Sequence, residues 1–115
     1  MGESYNIGGG NQPANIEIVH TICNLLEEVN VPSPVKPYES LIKYVKDRPG
    51  HDRRYAMNIQ KIARELNWKP QYDLEKGLRK TIVWYLENAN WLQAIQNRED
   101  YKEWVGDNYK KRGQV

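Results

Sequence analysis

Residues 15–29 read NIEIVHTICNLLEEV, and the way this stretch folds governs how its flanks are read. Ile18, Val19, Ile22, Cys23, Leu26 and Val29 recur at spacings of three and four, so a helix gathers them onto one apolar face. Asn15 is the expected N-cap, and Glu17 falls in the first turn, where a negative charge complements the helix dipole. Upstream, residues 4–7 set Tyr5 and Ile7 at alternate positions and run into Gly8, Gly9 and Gly10, the pattern of a short strand ending in a permissive turn. Downstream, Pro32, Pro34 and Pro37 stop the helix and predict an extended link.

Beyond the prolines, residues 41–45 hold Ile42, Tyr44 and Val45, residue types that favour a second strand. Asn58 is placed to cap a short helix that buries Ile59, Ile62, Ala63 and Leu66. Asp73 caps the longest helix, whose stripe is Leu74, Leu78, Ile82, Tyr85, Leu86 and Ala89, extending to about Ile95. Tyr101, Trp104 and Val105 predict a last short helix, and the polar tail from Lys110 is expected to fray. The expected fold is therefore α/β: one domain over residues 1–115, a small sheet of short strands packed with about four helices. Two short strands are not stable alone, so they must pack on the helices or pair with strands from elsewhere. The strand-like start at Gly2 fits a piece cut from a longer protein.

Composition narrows the function. The chain has 115 residues, 39% apolar and 28% charged, which is a soluble, globular balance. A net charge of +2 is too small to bind DNA or RNA by bulk electrostatics, so any anion site must be local. The single cysteine, Cys23, leaves neither an intramolecular disulfide nor a multi-cysteine metal site, and it falls on an apolar face as a small buried residue. His20 and His51 have nothing that pairs them as metal ligands. The longest apolar run, residues 82–86, is far short of the ~20 residues a membrane span needs. With no signal peptide legible, the expected location is the cytoplasm.

Residues 46–55, KDRPGHDRRY, carry the most chemical information. Pro49 and Gly50 suit the two central positions of a type II turn, with Pro fixing one φ and Gly supplying a positive one. Such a turn brings Arg48 and His51 to either side of a small concavity. A guanidinium offers a planar fork that matches phosphate oxygens, and an imidazole adds a ring donor. One reading is thus a phosphate or diphosphate site; the other is a solvated turn with surface ion pairs. Asn15 likewise has two readings, as a cap or as an amide contacting a ligand at the helix N-terminus. Gly8, Gly9 and Gly10 lack the G-x-G-x-x-G spacing of a dinucleotide loop. Tyr72 and Lys76 have the Tyr-x-x-x-Lys spacing of short-chain dehydrogenases, but Tyr72 precedes the predicted cap Asp73 and so lies off the helix.

Four segments resemble the dTDP-glucose 4,6-dehydratases, a family of extended short-chain dehydrogenases. They are residues 2–9 (GESYNIGG), 47–58 (DRPGHDRRYAMN), 62–70 (IARELNWKP) and 77–86 (GLRKTIVWYL). The resemblance implies the C-terminal, substrate-binding lobe of such an enzyme, with the N-terminal NAD-binding Rossmann domain absent. The family enzyme is a lyase that binds NAD, oxidises the sugar at C4, eliminates water across C5–C6 and returns the hydride to C6. Its product is a 4-keto-6-deoxy sugar nucleotide on the route to rhamnose. On this resemblance the dTDP-sugar is bound by Asn15, Asp47, Arg48, Pro49, Gly50 and His51, while Arg53 and Arg54 are read as structural. No catalytic residue and no metal site is expected here. NAD is expected only in the full-length enzyme, so this chain alone is expected to be inert. Helix faces that would meet the Rossmann domain are expected to be exposed, which favours self-association. The alternative is a standalone helical interaction module that docks partners on its exposed Trp and Tyr surface and ignores dTDP.

Overall fold

The computed structural model describes residues 2–29, 32, 33 and 35–111. Five helices follow one another: α1 (Asn15–Glu28), α2 (Gln60–Leu66), α3 (Leu74–Glu87), α4 (Ala89–Gln96) and α5 (Glu99–Lys111). A single 3₁₀ turn, Tyr38–Leu41, lies between α1 and α2. The expected α/β fold is corrected here: among the described residues there is no strand. Strand-like pairing is confined to an isolated antiparallel bridge between Ala14 and Arg54.

The two predicted strands fail for a shared reason. A strand exists only when its backbone N–H and C=O groups find a ladder partner, and among the described residues neither segment has one. Residues 4–7 instead lie extended along α2, held by side chains. The Tyr5 hydroxyl donates to Glu65 at 3.0 Å, and Lys61 Nζ reaches both Glu3 at 2.7 Å and the Ser4 carbonyl at 3.0 Å. Gly8 follows where a Cβ would stand 3.3 Å from both Ile59 and Met57, so this close approach needs its missing side chain. In residues 41–45, Leu41 ends the 3₁₀ turn, and the rest runs extended with Tyr44 at 86% and Val45 at 62% exposure.

The helices follow local chemistry more closely. Asp73 caps α3 as expected, accepting from the Lys76 N–H at 2.8 Å. Asn58 accepts from the Gln60 N–H at 2.9 Å at the start of α2, although Ile59 is the residue at the N-cap. At α1 the cap is Ala14, not Asn15; the Glu17 carboxylate accepts the Ala14 N–H and supplies half of a capping box. The predicted long helix to Ile95 breaks at Asn88, which leaves helical geometry at φ −115° and ψ 39°. Its own Nδ2 donates to the Trp84 carbonyl at 2.8 Å, the local competition with helix backbone that Asn is prone to. The last helix is longer than predicted and carries Lys110; residues 112–115 of the tail, like Pro34 of the proline link, lie outside the described residues.

Packing centres on α1, which lies against α3 and the 3₁₀ turn. Leu25 and Cys23 from α1, Ile82 from α3 and Tyr38 from the turn are buried, and Ile62 is the buried residue of α2. Leu25, at 2% exposure, is the most deeply buried side chain, yet it is missing from the predicted stripe; Val19, which is in that stripe, is 40% exposed. Arg79 of α3 donates to Glu28 of α1 and ties the two helices. The tryptophans do not form the core. Trp84 and Trp91 pack edge to face at 5.1 Å between centroids, with Tyr85 beside them, and all three stay partly exposed.

This arrangement leaves much surface uncovered. The accessible surface is 9822 Å², against about 6500 Å² for a folded monomer of this mass. The radius of gyration is 17.7 Å, against about 13 Å for a compact chain of this length. Ile7, Leu41, Tyr44, Val45 and Trp104 are among the large apolar side chains left more than half exposed.

Candidate functional site

The loop from Asp47 to Arg54 is fastened to the start of α1 by two backbone-directed links. The Asn15 N–H donates to the Arg53 carbonyl at 3.1 Å, and the Asn15 side-chain Nδ2 donates to the Asp52 carbonyl at 3.0 Å. The first of these belongs to the antiparallel bridge between Ala14 and Arg54. Asn15 thus works as a fastener between helix and loop rather than as a cap. Gly50 takes φ 69°, the positive value that the predicted Pro-Gly turn demands.

Inside the loop, Asp47 is the hub. Its Oδ1 accepts from the Arg48 N–H at 2.8 Å and meets His51 Nδ1 at 2.5 Å. The hydrogen bond from His51 is the main cause holding the Asp47 carboxyl below its ordinary range, with the Arg48 N–H adding to it. With Nδ1 turned to Asp47, the other ring nitrogen of His51 is the one left for a ligand.

Between this loop and α1 lies a cavity of about 640 Å³, within the usual size of small-molecule sites. Asn15, Asp47 and His51 line it, together with Asp52 and Arg53. Ile16 and Val19 from α1 and Tyr44 and Val45 from the extended segment form an apolar wall, and Lys43 stands beside them. Of the six residues singled out in the sequence, three share this cavity. Pro49 and Gly50 form the turn without lining it. Arg48 does not line it either: its Nη2 donates to the Tyr55 hydroxyl at 3.3 Å. The sequence reading missed Lys43, Tyr44 and Val45 as parts of this neighbourhood. Their signal was the cation set among apolar residues at 41–45, read there only as a strand.

Other motifs resolve simply. Lys80, not Lys76, meets Tyr72: its Nζ lies 3.3 Å from the hydroxyl and 4.8 Å from the ring centroid. Lys76 instead pairs with the cap Asp73, so no Tyr–Lys dehydrogenase pair forms. Gly8, Gly9 and Gly10 follow no strand, and Pro13 and Ala14 intervene before α1, so these residues do not fit the diphosphate of NAD. Burial pushes the Cys23 thiol upward, with Glu39 and Glu27 adding to it, which suits an inert core residue. Among the described residues no group of His, Cys, Asp or Glu is arranged to hold a metal ion, and no helix is long and apolar enough to cross a membrane.

A helical lobe that fastens a basic Pro-Gly loop to a helix start defines a class. The chain belongs to the family described as GDP-mannose 4,6 dehydratase, whose family model matches residues 1–81. Within it, the chain is similar to particular enzymes. It is 53% identical over 111 residues to a dTDP-glucose 4,6-dehydratase of Escherichia coli, covering 96% of this chain and 30% of that protein. It is 56% identical over 99 residues to the dTDP-glucose 4,6-dehydratase of Neisseria meningitidis serogroup B, covering 84% and 28%. A crystal structure of dTDP-glucose 4,6-dehydratase from Bacillus anthracis in complex with NAD matches with a TM-score of 0.60 at 44% identity, over 76% of this chain and 24% of that one. The chain therefore spans about 30% of the length of the curated relatives it matches.

Proposed function

We propose that this chain is the sugar-nucleotide-binding part of an NAD-dependent dTDP-glucose 4,6-dehydratase, a lyase that makes the 4-keto-6-deoxy sugar nucleotide. The observation that carries this reading is the cavity shared by Asn15, Asp47 and His51, in a chain 53% identical to such an enzyme. Asn15 holds the loop against α1 and directs its remaining amide atoms toward the ligand. Asp47 fixes the His51 ring so that its second nitrogen faces the diphosphate. Pro49 and Gly50 set the turn that spaces them, with Arg48 between. The apolar wall of Ile16, Val19, Tyr44 and Val45 receives the flatter, less polar portion of the nucleotide. This is positioning, which lowers a barrier by pre-paying entropy, and it needs no catalytic group in this chain.

NAD and the acid/base chemistry belong to the remainder of the enzyme. The partner of this lobe is an N-terminal Rossmann domain, and the uncovered surface described above is the face that meets it. Isolated from that domain, the chain self-associates through the same apolar faces. Its setting is the cytoplasm. Isothermal titration of the 115-residue chain with dTDP tests the reading. Saturable binding that weakens in Asn15→Ala and His51→Ala is expected. Identical heats for dTDP and buffer would overturn it and favour a helical interaction module that responds to no nucleotide.

A further inference from the structure

We infer that residues 89–111 form a hinged arm that opens as a unit about Asn88, uncovering the Trp84 and Tyr85 rings, while the body of α1, the 3₁₀ turn and α3 stays folded. The inference stands apart from the nucleotide-binding reading. Burial separates the two parts. Every fully buried side chain among the described residues lies between Cys23 and Ile82, and α4 and α5 bury none. Among the helices, α5 meets only α4, and α4 meets only α3 and α5. Arg98 clasps Asp100 at 2.6 Å and the Asn108 Nδ2 donates to the Trp104 carbonyl at 2.9 Å, both bonds lying inside the arm.

The joint is small and aromatic. Asn88 ends α3, and its N–H and Nδ2 both donate to the Trp84 carbonyl, at 3.0 Å and 2.8 Å. Beyond it the Trp91 ring meets Trp84 edge to face at 5.1 Å and Tyr85 at 6.3 Å. All three rings are already nearly half exposed, so parting them adds only the covered remainder to the surface that water must hydrate. Once that contact parts, the arm has little to steady it, because helices of 8 and 13 residues are marginal alone in water. Gly106 weakens α5 further. Nothing lies within 4 Å of the place its Cβ would take, so no close packing requires a glycine there. Segments with so few buried contacts open without global unfolding.

The test is amide hydrogen exchange of the whole 115-residue chain, read by mass spectrometry with urea added in small steps. Amides of α4 and α5 are expected to be at least about tenfold less protected than the best-protected amides of α1 and α3. Their urea dependence is expected to be smaller, because opening exposes less surface than global unfolding. Trp91→Ala is expected to lower protection in the arm by about tenfold, the scale of one lost aromatic contact, and to leave α1 unchanged. Gly106→Ala is expected to raise protection in the arm alone by about fivefold, the helix-propensity difference between the two residues and a gain that misfolding cannot mimic. The inference is overturned if the arm and α1 share one protection level and one urea dependence, or if Trp91→Ala deprotects α1 as much as the arm. Arm amides with no protection at all would also overturn it, since no closed arm would then exist to open.

Discussion

Leu25→Ala is the sharpest probe of the packing, because the sequence and the structure disagree about this residue. The apolar stripe points to Leu26 as the core leucine of α1, whereas the structure buries Leu25 to 2% exposure and leaves Leu26 only partly covered. Truncation removes three carbons, worth about 2–2.5 kcal/mol in transfer free energy. The cavity left behind adds to this, since α3 and the 3₁₀ turn both pack on α1, giving about 3 kcal/mol in all. For a domain of this size that is a fall in melting temperature of roughly 12 °C. With so few residues fully buried, little else compensates. Urea unfolding followed by circular dichroism at the helix band, with thermal melts beside it, measures both numbers. Leu26→Ala, made in parallel, is expected to cost less than half as much. Equal costs for the two variants, or a larger cost at Leu26, would refute the orientation assigned to α1.

Two further outcomes follow from the loop. The folded-state pKa of Asp47 is depressed by the His51 hydrogen bond, so the stabilisation it gives is present above the ordinary carboxylate pKa of about 3.9 and disappears as pH falls through the lower folded value. An NMR titration of the Asp47 carboxyl should show a midpoint below the ordinary one in the wild type and a return toward it in His51→Ala; an ordinary midpoint in the wild type would remove the hub role. Gly50→Ala forces a Cβ into φ 69°, costing about 1 kcal/mol or more. It is expected to weaken dTDP binding more than it lowers the melting temperature, and unchanged affinity would show that the turn does not shape the site.

The helices were legible because their signals are local. The Asp73 cap, the Asn58 contact with Gln60 and the proline stop after α1 each act within a few residues, so spacing alone exposes them. The break at Asn88 was also local in cause, yet it was overlooked because the apolar stripe continues across it. The site was half legible. Asp47 and His51 were singled out in the 46–55 motif and Asn15 at the helix start, but their actual bonds, Asp47 to His51 and Asn15 to the Asp52 carbonyl, depend on how the loop meets the helix.

By itself the sequence determined that Asp73 caps the third helix and that the Pro49–Gly50 pair turns with a positive φ at Gly50. Tertiary structure alone decided which leucine is core, that residues 4–7 and 41–45 stay unpaired, and that Arg48 turns to Tyr55 while Arg53 lines the cavity. The division has a physical cause. Caps and turns are settled by bonds between near neighbours. A strand, a buried face or the direction of a long side chain is settled by partners far away in the chain.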